Sequence, residues 1–431
     1  MEVKFLGSAR EVGRAAISVK TQRTQILLDY GVMLDHTPGF PMHVPPKEVD
    51  AVVVTHSHLD HSGSVPIFHI QERKPVYGTR MTFDFANVLI KDFIKLSSTY
   101  IPFEYLELRT MMRSRRDLKY REPATIGDFN IQLLNSGHLP GGASVLVEAE
   151  GKRFLYTSDF NTIETKLLTA ADTDYGELDA VVMESTYADE EHTPRKELEE
   201  RLVTEVNDVV EKGGTVLIPA FSVGRSQEIA CVLAANHFEY PVMIDGMARE
   251  ASRVLMEQPE FVKDKRLYMD AIHESNWVES WRDRRIASRR PGVIISPAGM
   301  LKGGPAGSYL QMIGKKASNA VFLVGYQIPG TPGKELLEKG RCVIDGRMRK
   351  VKAKVGFFDF SSHAGASELR ETVKKFRGNP TVYVVHGAEG NCPRLAKWIK
   401  DEAGLEAYAP NSRLARRLEI SHFSGFFVFR I

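Results

Sequence analysis

Short apolar runs, each followed by a turn and a polar residue, recur along the chain. Runs of this length that are bounded by turns predict strands, and α/β enzymes commonly place reactive side chains where strands end. The pattern therefore predicts an α/β fold with chemistry at several strand ends. The runs and the polar residues that follow them are Ala51–Val54 with His56, Ile131–Leu134 with His138, Phe154–Tyr156 with Asp159, and Thr381–Val385 with His386.

The middle of the chain has its own alternation of helical and strand patterns. A charged helical stretch at Arg195–Val210 is followed by the predicted strand Thr215–Pro219, and a helix is predicted after Gly224. Further strands are predicted at Pro241–Asp245 and Gly292–Ser296. This predicts a second α/β domain inserted into the first. The expected domains are 1–187 and 352–431 for the first fold and 188–351 for the insertion.

The densest chemistry lies in the string His56-Ser57-His58-Leu59-Asp60-His61, directly after an apolar run. In an extended chain, alternate side chains point the same way, so His56, His58 and Asp60 share one side, and a turn near Asp60 would bring His61 to them. Imidazole is a common zinc ligand, and so many titratable groups at a strand end would be costly unless a cation neutralised them. The spacing predicts a metal site with room for two ions.

Composition restricts the class of protein further. The 431 residues are 43% hydrophobic, which is sufficient for large cores, and the net charge of +2 argues against a uniformly basic nucleic-acid coat. No run approaches the roughly 18 apolar residues that a membrane helix needs, and the first residues have no signal-peptide pattern. We expect a cytoplasmic globular protein without a membrane partner.

The motifs together resemble those of the metallo-β-lactamase fold and, within it, the β-CASP ribonucleases. The shared motifs are Asp29 in Leu27-Leu28-Asp29, the string from His56 to His61, His138 and Asp159. The motifs peculiar to β-CASP members are Glu184 in Met183-Glu184-Ser185-Thr186, His363 in Ser361-Ser362-His363-Ala364, and His386 in Val385-His386-Gly387. The resemblance covers nearly the whole chain and implies an αββα sandwich with an inserted β-CASP domain. Leu6–Arg14 and Glu184–Tyr187 resemble the endonuclease subunit of the cleavage and polyadenylation specificity factor, in a compact archaeal form without an amino-terminal KH module.

The resemblance also implies roles for single residues. Two Zn²⁺ ions are expected, one held by His56, His58 and His138, the other by Asp60, His61 and His386, with Asp159 as the bridge. Asp29 is expected to orient a ligand histidine. Asp60 is expected to be a catalytic residue as well as a metal ligand. His363 is expected to be the general acid, kept protonated by Glu184.

The resemblance implies RNA as the substrate. RNA-processing members of this superfamily carry His at the position of His386, where DNA-repair members tend to carry an apolar residue. Bound cations lower the pKa of water from about 15.7 to about 7 and stabilise negative charge on a reacting phosphodiester. Candidate RNA contacts, drawn from the family signatures and their glycine-rich turns, are Arg225, Ser296, Lys302 and Ser361.

One position departs from the family pattern. Close relatives usually have Glu directly after the His-Gly of the last motif, whereas this chain has His386-Gly387-Ala388-Glu389. If Glu389 does not reach the same place, the support of His386 would be weaker.

Three questions stay open at this point. A ribonuclease J-like enzyme that degrades RNA from its 5′ end is the alternative to an endonuclease, and a non-catalytic RNA-binding scaffold is a more distant one. The apolar segment Gly425–Ile431 is either a homodimer interface or a core strand. Base preference and the physiological RNA cannot be derived from the residues.

Overall fold

The computed structural model describes residues 1–34, 37–97, 99–344, 346–411 and 428–430. The chain divides into two compact units. The first comprises 1–163, 170–191 and 362–431, and the second comprises 164–169 and 192–361. The domain boundaries expected from the sequence, 187/188 and 351/352, stay predictions.

Two mixed sheets form the first unit. The first sheet has the order β22 (Val428–Arg430), β1 (Glu2–Phe5), β2 (Ala16–Lys20), β3 (Gln25–Tyr30), β4 (Ala51–Val53), β5 (Val76–Gly78), β6 (Arg115–Asp117). In it, β1 to β3 pair antiparallel and β3 to β6 pair parallel. The second sheet has the order β21 (Ala407–Tyr408), β20 (Thr381–Val385), β11 (Ala180–Glu184), β10 (Lys152–Tyr156), β9 (Ala143–Ala149), β8 (Phe129–Asn135), β7 (Pro123–Ile126). In it, β7 to β10 pair antiparallel, and β10, β11, β20 and β21 pair parallel.

The side chains of these strands alternate between two faces, as a strand requires. In β3, Ile26 and Leu28 face a core that is shared with the second sheet, whereas Leu27 faces a core shared with helices. The second sheet packs its outer face on helices in the same way. The predicted αββα sandwich is confirmed. Its helices are α2 (Arg80–Ser97) and α3 (Tyr105–Arg113) on the first sheet and α11 (Ala366–Lys374) and α12 (Asn391–Ala403) on the second, with the short α1 (Leu59–Ser62) at the end of β4.

The second unit contains a parallel sheet with helical connections. The sheet has the order β14 (Asn276–Val278), β13 (Val242–Asp245), β15 (Gly292–Ser296), β12 (Thr215–Pro219), β16 (Ala320–Leu323), β19 (Lys354–Phe357). Beside it stands an antiparallel ribbon of β17 (Arg341–Ile344) and β18 (Arg347–Lys350). The helices are α4 (Arg195–Glu211), α5 (Arg225–Ala235), α6 (Met247–Met256), α7 (Lys265–His273), α8 (Trp281–Ala287), α9 (Gly304–Ile313) and α10 (Pro332–Lys339). The predicted α/β character of the insertion is confirmed.

The carboxy-terminal segment was expected to be an interface or a core strand. Val428–Arg430 pairs antiparallel with β1 of the same chain, with Phe429 opposite Val3. The rest of that segment, 425–427 and 431, lies outside the described residues. The described helices include none with both the length and the apolar character needed to cross a membrane.

Candidate metal centre

The loop after β4 carries the first candidate ligands. Thr55 follows the strand, His56 and His58 lie in the extended turn, and α1 then begins at Leu59, which brings Asp60 and His61 round as the sequence predicted. The loop is held to the start of β2, where Ala15 N donates to Asp60 O at 2.7 Å, and to the segment after β3, where Val32 N donates to Leu59 O at 2.9 Å. A side chain at Gly31 would place its Cβ 1.7 Å from Asp60 O, so only glycine permits this approach.

Asp29 anchors this loop from within β3. Its Oδ2 accepts hydrogen bonds from His61 Nδ1 at 2.7 Å, from Thr55 Oγ1 at 2.8 Å and from Tyr156 OH at 3.1 Å, and its Oδ1 accepts one from Thr55 N at 2.8 Å. The bond to Nδ1 leaves His61 Nε2 directed at the cluster. Asp29 has a left-handed φ of 60°, a conformation that costs about 1–3 kcal/mol in a non-glycine residue and that these bonds hold.

One group of possible ligands comprises His56, His58, His138 and Asp159, whose ligand atoms lie within 4.8 Å of one another. His138 follows β8, and its Nδ1 donates to Ser362 O at 2.8 Å, which directs Nε2 inward. His56 Nδ1 lies 3.1 Å from Thr55 Oγ1, which similarly directs its Nε2 inward.

A second group comprises Asp60, His61 and His386. His386 follows β20 with a left-handed φ of 48°, and its Nε2 lies 3.4 Å from Asp60 Oδ2. Asp159 contacts both groups, since its Oδ2 is 3.7 Å from His56 Nε2 and 3.4 Å from His61 Nε2, and its Oδ1 is 3.2 Å from His386 Nδ1. The structure thus brings together all seven residues that the sequence singled out as metal ligands.

The chemistry of this cluster fits divalent cations. Among the described residues, His56 Nε2 and His61 Nε2 are buried without a hydrogen-bond partner, which is unfavourable unless another group binds them. Burial lowers the pKa of His56 and His138, and it lowers that of His58 to about 4, so these rings are neutral at pH 7. Neutral imidazole is the ligating form, and the residues present could hold a divalent metal.

The acidic members of the cluster are ionised. Burial alone would raise the pKa of Asp159, but His386 and His61 outweigh burial and hold that pKa well below its usual range. For Asp60, burial likewise raises the pKa, but the hydrogen bond from His386 and the charges of His61 and His386 together outweigh burial and lower it. A carboxylate that faces imidazoles of both groups is suited to bridge two cations.

His363 and Glu184 form a pair at the edge of the cluster. His363 Nδ1 lies 3.0 Å from both carboxylate oxygens of Glu184, and His363 Nε2 lies 3.9 Å from Asp159 Oδ2. Burial lowers the pKa of His363, but the charges of Glu184 and then Asp159 outweigh it and raise the pKa to about 9. Glu184 is fixed in turn by Phe160 N at 2.9 Å. The pair therefore presents a protonated imidazole beside the candidate metal ligands.

Several residues of the site were missed in the sequence. Thr55 and Tyr156 bind Asp29, Thr186 contacts both Glu184 and His386, and the carbonyl of Ser362 orients His138. The sequence held a signal for two of these residues, because Thr55 directly precedes the candidate ligand His56 and Thr186 lies two residues after Glu184. The sequence left open whether Glu389 supports His386. Glu389 is exposed in the structure. The hydroxyl of Thr186 lies 3.2 Å from His386 Nδ1 and supports that ring.

The predicted RNA contacts all belong to the second unit, whereas the seven candidate ligands belong to the first. Lys302 is exposed, and Arg225 and Ser361 are partly buried. Ser296 is fully buried, with its hydroxyl 3.2 Å from Pro297 O, so its side chain is not accessible from outside.

Family models match three segments of the chain. Residues 18–187 match the metallo-beta-lactamase superfamily domain, 226–336 match the Beta-Casp domain, and 348–410 match the Zn-dependent metallo-hydrolase RNA specificity domain. A crystal structure of a protein of unknown function from Enterococcus faecalis V583 has the same fold, with a TM-score of 0.61 at 13% identity over 95% of this chain and 98% of that one.

Curated relatives match over nearly the full chain. RNase aCSPSF2 of Saccharolobus solfataricus is 42% identical over 95% of this chain and 84% of its own length. An RNase J-like protein of Methanocaldococcus jannaschii is 33% identical over 95% and 97%, and transcription termination factor FttA of the same organism is 31% identical over 97% and 72%. The chain therefore belongs to the metallo-β-lactamase superfamily and, within it, to the β-CASP proteins that include these archaeal relatives.

Proposed function

We propose that this chain is a metal-dependent ribonuclease of the cleavage and polyadenylation specificity factor type that cuts RNA internally. The observation that carries the proposal is the position of the His363–Glu184 pair next to two groups of metal-type ligands that share Asp159. Hydrolysis of a phosphodiester requires stabilisation of a developing negative charge and protonation of a leaving oxygen. The two parts of this site supply these two needs.

The proposed cofactors are two Zn²⁺ ions. His56, His58 and His138 would hold one ion, Asp60, His61 and His386 the other, and Asp159 would bridge them. Imidazole and carboxylate ligands of this kind are typical of zinc. Bound zinc would supply Lewis acidity and an activated water for hydrolysis.

The side chains of the pair perform the proton transfer. His363 donates a proton from Nε2 to the leaving oxygen, because its Nδ1 is occupied by Glu184 and its raised pKa of about 9 keeps it protonated at pH 7. Glu184 is a positioning residue, fixed by the backbone of Phe160 and by Thr186. Asp29 acts through His61, whose ring it holds so that Nε2, which faces the other candidate ligands, could bind a metal.

RNA is the proposed substrate because the curated relatives are named RNase aCSPSF2 and RNase J-like protein. The second name keeps 5′-to-3′ exonuclease action as the alternative. A non-catalytic scaffold is disfavoured, since the seven candidate ligands lie together in the structure.

Three further expectations belong to this proposal. Arg225, Lys302 and Ser361 stay candidate RNA contacts, and Ser296 would act through its backbone. The cytoplasm is the proposed location. A homodimer through the carboxy-terminal segment stays a prediction, and an unchanged mass in light scattering after deletion of 425–431 would count against it.

The test compares three forms of one labelled RNA, one with a 5′ monophosphate, one with a 5′ triphosphate and one closed into a circle. An endonuclease of the proposed type cuts the circle and is indifferent to the 5′ group. Release of mononucleotides from the monophosphate form alone, with an intact circle, would replace the endonuclease with the ribonuclease J-like alternative. Binding of every form without cleavage, by protein with its metal content verified, would support the scaffold.

A further inference from the structure

The ribbon of β17 and β18 in the second unit has two unlike faces. Cys342 is 6% exposed and packs into a core with Leu336 and Val351, which anchors one face. On the other face, Val343 and Met348 stand directly opposite each other and are 51% and 52% exposed. Every residue of β18 is exposed. The ribbon thus presents a surface that its own fold does not cover.

The ribbon and the segment after it are strongly basic. Exposed cations lie at Arg341, Arg347, Arg349, Lys350 and Lys352, and within the described residues none of these five forms an ion pair. Arg341 and Lys350 share the face of Val343 and Met348, because side chains alternate along each strand. Neighbours on either side behave differently, since Lys339 pairs with Glu335 at 2.8 Å and Lys354 pairs with Glu205 at 3.0 Å. The positive charge is therefore concentrated on the ribbon and left without a countercharge in the described structure.

The arrangement also has a cost in stability. Arg341 and Lys350 are directly opposite each other across the two strands, and like charges in this position destabilise a strand pair. An isolated two-stranded ribbon is only marginally stable, and this repulsion lowers its stability further. Folding of the ribbon does not need like charges at these two positions. An anionic ligand that binds both side chains would remove the repulsion.

We propose that the outer face of this ribbon binds the phosphate backbone of single-stranded RNA, as a contact surface additional to the metal centre; this rests on the proposed function. Arg341 and Lys350 would contact phosphates, and the apolar pair of Val343 and Met348 beside them would contact the faces of bases or riboses. Alternating apolar and cationic contacts suit single strands, whose bases are exposed. The charges would also suit an acidic protein, and RNA is favoured because it is the substrate of the proposed function.

The test uses the full-length, metal-loaded chain with His363→Ala, so that RNA is not consumed. Binding of a labelled single-stranded RNA is measured by fluorescence anisotropy at several salt concentrations. In the double variant R341Q/K350Q, the slope of log K against log salt concentration should become shallower by about 0.7 for each lost phosphate contact. At 0.1 M salt the affinity for RNA should fall on the order of tenfold. The control K196Q/K265Q removes the same charge from exposed sites of the second unit and should leave the slope unchanged.

A second variant separates binding from folding. Lys350→Glu places an acid opposite Arg341, so the melting temperature should stay the same or rise while RNA affinity falls at least as far as in the double variant. An unchanged salt slope in R341Q/K350Q, or an equal loss in the control, would overturn the ribbon proposal. Binding of polyglutamate that depends on the ribbon, with RNA binding unaffected, would overturn it in favour of an acidic protein.

The same preparations distinguish this proposal from the proposed function. Chain with an intact His363 is tested for hydrolysis of bis(4-nitrophenyl) phosphate, a substrate with a single phosphate and no RNA chain that could bind to the ribbon. Hydrolysis with no ribbon-dependent RNA binding would refute the ribbon alone. Ribbon-dependent RNA binding by a chain that hydrolyses neither this ester nor RNA would refute the ribonuclease and leave the ribbon as an RNA-binding surface.

Discussion

Replacing Asp29 with Asn tests how the cluster is held together. The buried carboxylate accepts four hydrogen bonds, one on Oδ1 from Thr55 N and three on Oδ2 from Thr55 Oγ1, His61 Nδ1 and Tyr156 OH, at 2.7 to 3.1 Å. An amide has one acceptor oxygen, so its best orientation serves the three donors and leaves Thr55 N–H facing an NH₂ group. An unpaired buried donor costs about 1–3 kcal/mol, and the three remaining bonds lose charge assistance. We expect Asp29→Asn to lower the free energy of unfolding by about 2–4 kcal/mol.

The effect on metal binding is the sharper measurement. Because His61 loses the partner that fixes its ring, the affinity of its metal site should fall about 10- to 100-fold. Competition with a chromophoric zinc chelator measures this affinity, and thermal unfolding measures stability. Asp50→Asn is the matched control, since Asp50 accepts one bond from Gln25 N at the far end of β3 and should leave zinc affinity unchanged. Wild-type affinity at both zinc sites in Asp29→Asn would refute the reasoning.

The remaining predictions concern proton transfer and the second unit. Glu184→Gln should move the alkaline limb of the single-turnover rate to lower pH by about two to three units. His363 acts when protonated, and this variant removes the Glu184 charge, which contributes most to raising the His363 pKa to about 9. An unmoved limb would show that the His363–Glu184 pair does not supply the proton. His363→Ala should lower cleavage about 10²- to 10⁴-fold with unchanged metal content. Glu228→Ala should cost about 3–5 kcal/mol, and more than Glu228→Gln, because it removes the buried carboxylate that pairs with Arg195 at 2.6 Å and leaves Arg195 the longer contact with Glu199 at 3.4 Å. Burial alone would raise the pKa of Glu228, but Arg195 outweighs burial and lowers it. The stabilisation from ionised Glu228 is therefore present above the pKa of an unfolded Glu and is lost as the pH falls. Denaturation of wild type and Glu228→Gln at pH 7 and pH 4 measures this loss.

The sequence was most informative where strands end. Four apolar runs placed His56, His138, Asp159 and His386 at strand ends, and all four lie in one cluster because parallel neighbours such as β11 and β20 end at the same edge. The strand Thr381–Val385 was predicted with its observed bounds, whereas β4 ends at Val53 rather than at Val54. Asp29, unlike these four residues, lies inside its strand, one residue before the end of β3. Such one-residue differences arise because hydrogen bonding, not hydrophobicity, decides where a strand ends.

Contacts between distant segments could not be predicted in the same way. Nothing in Tyr156 signals that its hydroxyl reaches Asp29, which lies on the other sheet. Ser361 was singled out as an RNA contact, but it is the carbonyl of the next residue, Ser362, that orients His138. The burial of Ser296 was equally hidden, because a serine after an apolar run has no pattern that tells inside from outside.

The central claim is that the cluster is a two-metal centre that cleaves RNA. Its most direct test is a zinc titration of protein stripped with a chelator, with cleavage of a labelled RNA measured at each step. Cleavage should be absent without metal, rise to a plateau at two zinc ions per chain, and stay absent in Asp159→Ala. Full cleavage by the stripped protein, or a plateau at one zinc ion, would contradict the account.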